Sequence, residues 1–153
     1  MEINVTVHYY HRLVTMGSSQ LTSILLNNST ERFYIEYGGY LMNHMSHGIV
    51  ALARLGANTE RLERFVNWYK PRLEEADSFR DGEKIDNGIE LLGAKKSYYA
   101  LLDNYKWQLN EKFGGSMENL IANRFPKLFP GLMGAALHGS IHLGYGYAAK
   151  NSQ

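Results

Sequence analysis

A stretch of nineteen residues without a charged side chain constrains the fold more than any other feature of this sequence. It covers residues 131–149 and reads GLMGAALHGSIHLGYGYAA. A segment of this length is just long enough to cross a bilayer as a helix. It contains five glycines, two histidines and a serine, however, and this composition makes transfer into lipid unfavourable. We therefore expect a buried, charge-free C-terminal helix in a soluble helical bundle.

The rest of the chain also shows helical patterns. Apolar residues recur at helical spacing after Leu41 and again after Thr59, and Gly56 between them is typical of a helix end. A further helix is expected from about Lys95 to the glycine pair at 114–115. VTVHYY near the N-terminus is the one candidate strand. The sequence therefore predicts an all-α fold, with residues 1–153 forming a single helical domain.

Composition excludes several classes of partner and chemistry. Lys and Arg number 16 against 15 Asp and Glu, a net charge of +1, and no basic stripe is present. We therefore expect neither nucleic acid nor a membrane as a partner. The chain has no cysteine, which rules out disulfides and thiolate ligands. With no signal peptide visible at the N-terminus, a cytoplasmic location is expected.

The histidines carry the strongest functional signal. They fall into three closely spaced pairs, His8 with His11, His44 with His47, and His138 with His142. Residues three or four apart share one face of a helix. Burying four imidazoles is costly because each brings a donor and an acceptor out of water. A metal ion shared by the last two pairs would remove this cost, and neutral imidazole is a preferred ligand of iron, zinc, copper and nickel.

The first pair lies in a polar context, HYYHR, and we expect it to lie outside the site as a surface or structural pair. A plainer interpretation also applies to the other two pairs, because a single buried histidine is more often a hydrogen-bonded core residue than a ligand. Two motifs that would specify the metal chemistry are missing, namely Glu-x-x-His and His-Glu-x-x-His. Small residues would let the two histidine-bearing helices approach closely; they are Gly48, Gly134, Ala135 and Gly139.

Two tyrosines beside the histidines are candidates for a substrate pocket. Tyr40 precedes the pair His44 and His47 in GGYLMNH, and Tyr145 follows the pair His138 and His142 in LGYGYAA. Their phenol groups can donate hydrogen bonds to a bound molecule. With 11 tyrosines in the chain, packing is the alternative role.

Two stretches of the sequence resemble one protein family. NHMSHGIVALARLGANTERLERFVNWYKPRLE is similar to the characteristic run of the questin oxidase-like proteins, and PGLMGAALHGSIHLGYGYA is similar to that family's second histidine run. The similar regions cover residues 40–75 and 125–149. Both histidine pairs and the Arg-Leu-Gly-Ala turn occur in the family's order.

The resemblance implies a non-haem iron oxygenase that opens aromatic polyketide rings, such as that of an anthraquinone, with O2. It implies Fe(II) held by His44, His47, His138 and His142, with Asn43 supporting the first of them. NADPH dependence is a further implication. Family members are usually more than twice as long, so the similarity is to their N-terminal part. We therefore expect a second chain, another copy of this chain or a C-terminal region to complete the site, including a remaining ligand.

Two other functions fit the same residues. The first is a small helical bundle that binds zinc or nickel through histidines and acts as a hydrolase or transferase. The second is a non-catalytic protein, either a truncated relative or a helical binding module. The metal content of the purified protein separates these interpretations, since iron with O2-dependent turnover supports the oxygenase and zinc supports the first alternative.

Overall fold

The computed structural model describes residues 18–76, 92–94 and 97–150, and these are mostly helical. The all-α prediction is confirmed, since the only sheet in this part of the chain is a short two-stranded one. His8, His11 and the candidate VTVHYY strand lie outside the described residues. The described α-helices are α1 (Ser18–Arg32), α2 (Met45–Arg54), α3 (Thr59–Tyr69), α4 (Tyr98–Trp107), α5 (Met117–Leu128) and α6 (Gly134–Lys150).

Shorter elements join these helices. Strands β1 (Glu36–Tyr37) and β2 (Leu41–Met42) precede α2, and a 3-10 turn, Lys70–Arg72, follows α3. A π-helix, Gln108–Lys112, continues α4, and a second 3-10 turn, Phe129–Gly131, follows α5.

The chain packs as two compact units. The first consists of Met1–Ala76 together with Ile141–Gln153, and the second of Asp77–Ser140. The division falls inside α6, so the second half of that helix belongs with α1 to α3. Compact units of this kind can be parts of one domain, and the single-domain expectation stays a prediction.

The core of the first unit joins α1, α2 and α3. Its buried residues are Leu21, Phe33, Met45, Ile49 and Leu62. Met45 and Ile49 are four residues apart and therefore lie on one face of α2. The exposed fractions of Ile49 and Leu62 are both 0%. This apolar face fixes α2, the helix that carries His47 and begins at His44.

The ends of α2 and α3 follow from local chemistry. Gly56 has a φ of +78°, a left-handed conformation that glycine adopts without a steric penalty. Asn58 caps α3, and its side-chain oxygen accepts a hydrogen bond of 3.0 Å from the backbone N–H of Arg61. The sequence predicts both the end at Gly56 and the start at Thr59, and both are confirmed.

The two strands were missed by the sequence reasoning. β1 and β2 are antiparallel, with Tyr37 opposite Leu41, and Gly38 and Gly39 both have positive φ in the turn between them. The carboxylate of Glu74 accepts a hydrogen bond of 2.8 Å from the backbone N–H of Gly38. Strands of two residues give no alternating pattern to detect. This hairpin leads the chain directly into α2.

The second unit contains a buried polar network. Gln108, the first residue of the π-helix, is 4% exposed. Its side-chain oxygen accepts hydrogen bonds from Nε of Arg124, at 2.8 Å, and from Nη2 of the same guanidinium. The side-chain amide of Gln108 donates to Oδ1 of Asn104. The polar groups of this glutamine are therefore matched inside the unit, as burial requires.

The expectation of a buried C-terminal helix is wrong for the chain by itself. Most residues of α6 are exposed or half-buried, and Leu137 and Tyr147 have exposed fractions of 44% and 51%. The sequence pattern shows that the helix is charge-free, but the described elements do not cover it. No helix in the described part of the chain is long and apolar enough to cross a membrane.

Helix α6 also contains a reversal of handedness. Ala135, Ala136 and Leu137 have φ values of 47°, 53° and 69°. An L-residue in this region brings its Cβ close to the following carbonyl oxygen, at a cost of about 1–2 kcal/mol per residue. The helix is right-handed after this turn, where it carries His138 and His142.

Candidate functional site

Three of the four predicted ligands lie together in the first unit. His44 is the N-cap residue of α2, His47 lies one turn further on, and His142 lies on α6. The ring centroids of His47 and His142 are 4.4 Å apart, and that of His44 lies 5.1 Å from His47 and 6.1 Å from His142. We call these three side chains the histidine cluster.

The closest contact in the histidine cluster joins two ring nitrogens. Nε2 of His47 lies 3.1 Å from Nδ1 of His142. In the absence of a metal, one of these nitrogens carries a hydrogen and donates a hydrogen bond to the other, so both rings can be neutral. His47 is 7% exposed, and Nε2 of His142 is fully buried. The contact therefore brings two imidazole nitrogens together where water has little access.

The same separation fits two ligands of one ion. Nitrogens bound to a common metal at about 2.1 Å lie about 3.0–3.4 Å apart for angles between octahedral and tetrahedral. His44 provides a third imidazole beside the pair. Within the described ranges, however, no group of three or more His, Cys, Asp or Glu side chains is arranged to hold a metal ion. The donor atoms are thus of the right type, and two of them have the right spacing.

His138 belongs to the second unit. Its Nδ1 donates a hydrogen bond to the backbone carbonyl oxygen of Ala135, one turn earlier in α6. Histidine ligands of metals commonly make such a bond with the nitrogen that faces away from the ion. The assignment of His138 as a ligand stays a prediction.

Asn43 binds backbone groups at the start of α2. Its side-chain amide donates a hydrogen bond of 3.0 Å to the carbonyl oxygen of Tyr34, and its Oδ1 accepts one of 3.0 Å from the N–H of Met45. Asn43 is 7% exposed. The side chain of Asn43 therefore holds the backbone N–H that follows His44, and its role in supporting a metal ligand stays a prediction.

Tyr69 is a residue at the site that the sequence reasoning did not single out. Its hydroxyl oxygen accepts a hydrogen bond of 3.1 Å from the backbone N–H of His44. Burial raises the pKa of Tyr69 above its ordinary value, the His44 N–H lowers it, and a hydrogen bond with the Tyr37 side chain raises it again. In the sequence Tyr69 belongs to the apolar stripe of α3, and no local signal shows that its hydroxyl reaches a residue 25 positions away.

The two pocket tyrosines have different surroundings. The ring of Tyr145 stacks on that of His47, with centroids 4.5 Å apart and an angle of 16° between the planes. Tyr40 lies in the hairpin turn and is 83% exposed. The stacking contact orients the His47 imidazole. For both tyrosines, contact with a substrate stays a prediction.

Two of the small residues make close contacts other than those expected. A Cβ on Gly48 would lie 2.1 Å from Cζ of Phe65, so this glycine accommodates α3. A Cβ on Gly139 would meet the backbone of Leu132 at 3.4 Å. Gly48 therefore allows close packing of α2 against α3, and the expectation that the small residues let the two histidine helices approach each other stays a prediction.

Arg54 connects α2 to the end of α6. Its guanidinium donates a hydrogen bond of 2.8 Å to the backbone carbonyl oxygen of Ala148. The last carbonyl groups of a helix lack intrahelical donors, and a cation there interacts favourably with the helix dipole. This bond spans 94 positions in sequence and helps to hold His142 against α2.

Comparison with known proteins identifies the family. No curated protein and no solved structure matches the chain. Residues 41–153 match the family model described as questin oxidase-like, and this range includes the histidine cluster, His138 and Tyr69. The match confirms the resemblance that the histidine runs suggest, and the family's description indicates an oxidase-type enzyme. The chain belongs to the questin oxidase-like family.

Proposed function

We propose that this protein is a non-haem iron oxygenase that oxidises or cleaves an aromatic polyketide-type substrate, such as an anthraquinone, with O2. The observation that carries the proposal is the histidine cluster, in which Nε2 of His47 and Nδ1 of His142 lie 3.1 Å apart. The family membership supports the oxidase-type chemistry. His44, His47 and His142 would hold the iron, with His138 as the fourth candidate ligand.

Bound ferrous iron would supply the one-electron steps that let O2 react with an electron-rich ring. The residues of the chain have three tasks in this proposal. His47 and His142 remain neutral, which leaves the positive charge of the ion available to a phenolate or enolate. Tyr145 stacks on His47 and fixes the plane of its ring. The core residues of the first unit, among them Met45 and Ile49, fix the helix that carries His44 and His47.

Metal analysis tests this proposal directly. We expect as-isolated protein to contain iron. Each of the variants His44→Ala, His47→Ala and His142→Ala should lower the iron affinity by more than about 100-fold, because loss of a residue that only supports a ligand typically costs about 10–100-fold. His11→Ala is the matched control, since His11 belongs to the pair that we expect outside the site. Zinc in place of iron, with no uptake of O2, would support the hydrolase or transferase alternative.

Oxygen uptake tests the reaction. The iron-loaded protein is mixed with a hydroxyanthraquinone, with and without NADPH, and O2 is followed with an electrode. We expect uptake that depends on the anthraquinone and that is lost in His142→Ala. Metal content far below one per chain, together with His138→Ala protein that melts at the wild-type temperature, would instead support a non-catalytic relative.

We also propose that a partner covers exposed apolar side chains of the second unit. Phe129 and Met133 in the second unit are 61% and 73% exposed, and the ring of Phe129 packs only 5.6 Å from that of Phe125. Exposed apolar surface of this kind usually marks a contact with another polypeptide. We expect the purified chain to sediment as a dimer or larger species, and Met133→Asp to shift it towards the monomer. A monomer at all concentrations, with full activity, would contradict this part.

A further inference from the structure

We propose that Tyr69 is a positioning residue for His44, and that it acts by holding the backbone amide of His44 through its hydroxyl. The consequence for metal binding rests on the proposed function. The effect on the position of His44 does not, because it concerns the protein without metal.

The start of α2 is the basis of this inference. The first N–H groups of a helix lack intrahelical acceptors, and a side chain at the N-cap position usually supplies one. The N-cap residue of α2 is His44, whose side chain makes no capping hydrogen bond and whose φ and ψ are −102° and 16°. The imidazole is therefore not used to cap the helix.

Side chains from other positions supply acceptors instead. The hydroxyl of Tyr69 accepts from the N–H of His44 at 3.1 Å, and Oδ1 of Asn43 accepts from the N–H of Met45 at 3.0 Å. Two consecutive N–H groups are thus held by two different side chains. Because the Cα of His44 lies between these bonds, its imidazole starts from a fixed backbone. The expected result is a narrow range of ring positions relative to His47.

The phenol of Tyr69 is itself held in place. Its ring packs edge-on against Tyr37 of β1, with centroids 6.5 Å apart at 76°, and against Phe65 of α3 at 5.6 Å. It also packs against the apolar core of the first unit. The hydroxyl therefore has a defined position, which is what a positioning residue requires.

Tyr69→Phe removes only the hydroxyl and is the main test. Tyr99→Phe is the matched control, since it removes a buried phenolic hydroxyl from the second unit. Both variants are made in the full chain, and the imidazole resonances of metal-free, 15N-histidine-labelled protein are compared with those of the wild type. We expect Tyr69→Phe to move the His44 resonances more than those of His142, and Tyr99→Phe to move neither.

Cobalt(II) is the probe for the effect of Tyr69 on metal binding. We expect Tyr69→Phe to weaken cobalt binding by about 10-fold, near the lower end of the effect of an outer-shell partner, and to change the visible spectrum of the bound ion. Tyr99→Phe should leave both as in the wild type. If Tyr69→Phe lowers the melting temperature but leaves the His44 resonances unchanged, Tyr69 is merely structural and the inference is wrong.

Two further outcomes are distinguishable. If wild-type protein binds no cobalt, the proposed function fails, while the resonances of metal-free protein still decide the role of Tyr69. If Tyr69→Phe does not fold, Tyr37→Phe takes its place, because this change removes a hydroxyl that contacts Tyr69 and leaves the Tyr69 hydroxyl present. We expect Tyr37→Phe to shift the His44 resonances in a smaller way, and no shift would overturn the inference.

Discussion

Replacing Gly48 by alanine tests the contact between α2 and α3 that fixes the histidine-bearing helix. The added Cβ would lie 2.1 Å from Cζ of Phe65, 2.6 Å from Cε1 and 3.0 Å from Cε2. Carbon atoms in favourable contact are about 3.5–4.0 Å apart, so the ring has to move by more than about 1 Å. Phe65 packs against the buried cluster that contains Leu62 and Ile49, and its movement therefore disturbs the core.

Two effects of opposite sign set the magnitude. Overpacking of this kind costs about 1–3 kcal/mol, whereas alanine stabilises a helix interior by about 1 kcal/mol relative to glycine. The expected net loss in the free energy of unfolding of Gly48→Ala is therefore between about 0 and 2 kcal/mol. Urea denaturation followed by circular dichroism measures it.

A double-mutant cycle makes this prediction sharp. Phe65→Leu removes the ring that the new Cβ would meet, so Gly48→Ala should be less harmful, or stabilising, in that background. The coupling between the two changes should exceed about 0.5 kcal/mol, the upper limit for independent sites. Additive effects, with Gly48→Ala stabilising by its full helix propensity in both backgrounds, would refute the reasoning.

Three further predictions concern single side chains. The pKa of Tyr69 is raised in the folded protein. The contribution of the Tyr69 hydroxyl to stability is therefore present below about pH 10 and is lost as the pH rises through the pKa of the folded state. The free energy of unfolding of the wild type should fall more steeply than that of Tyr69→Phe between about pH 9 and 11 in urea titrations. Gln108→Leu leaves the Arg124 guanidinium without the oxygen that accepts from it and should cost about 1–3 kcal/mol in thermal unfolding, whereas Gln108→Glu should keep the contact. Arg54→Ala removes the donor to the Ala148 carbonyl and should lower the free energy of unfolding by about 0.5–1.5 kcal/mol, with faster amide hydrogen exchange at the C-terminal end of α6. Arg54→Lys keeps the charge and is the control. Equal exchange in the wild type and both variants would show that the bond is unimportant.

Local signals made the helices near His44 and His47 predictable. The end of α2 needs a residue with positive φ, and Gly56 supplies it. The start of α3 needs a capping side chain, and Asn58 precedes it. Both features are written within a few residues of where they act. The continuation of α4 into a π-helix at Gln108 has no such local mark, and the buried contact of this residue is with Arg124 from another helix.

Local sequence signals also made part of the candidate site predictable. The spacing of His44 and His47 places both on the first turn of one helix, and family resemblance relates them to His142. The burial of α6 was predicted wrongly. A charge-free helix is expected to be buried, but its sequence does not show whether other parts of the same chain pack against it. The role of Tyr69 was not predictable, since its hydrogen bond depends on how α3 crosses the start of α2.

The position of the histidine cluster in the chain has a consequence for how the protein folds. The contact between His47 and His142 closes a loop of 95 positions, and closing a flexible loop of this length costs about 4 kcal/mol of chain entropy. The contacts among α1, α2 and α3 span much shorter separations and can form first. We therefore expect the helical scaffold under His44 and His47 to precede the cluster in folding. The site then appears as one of the last events, when the C-terminal half of α6 docks.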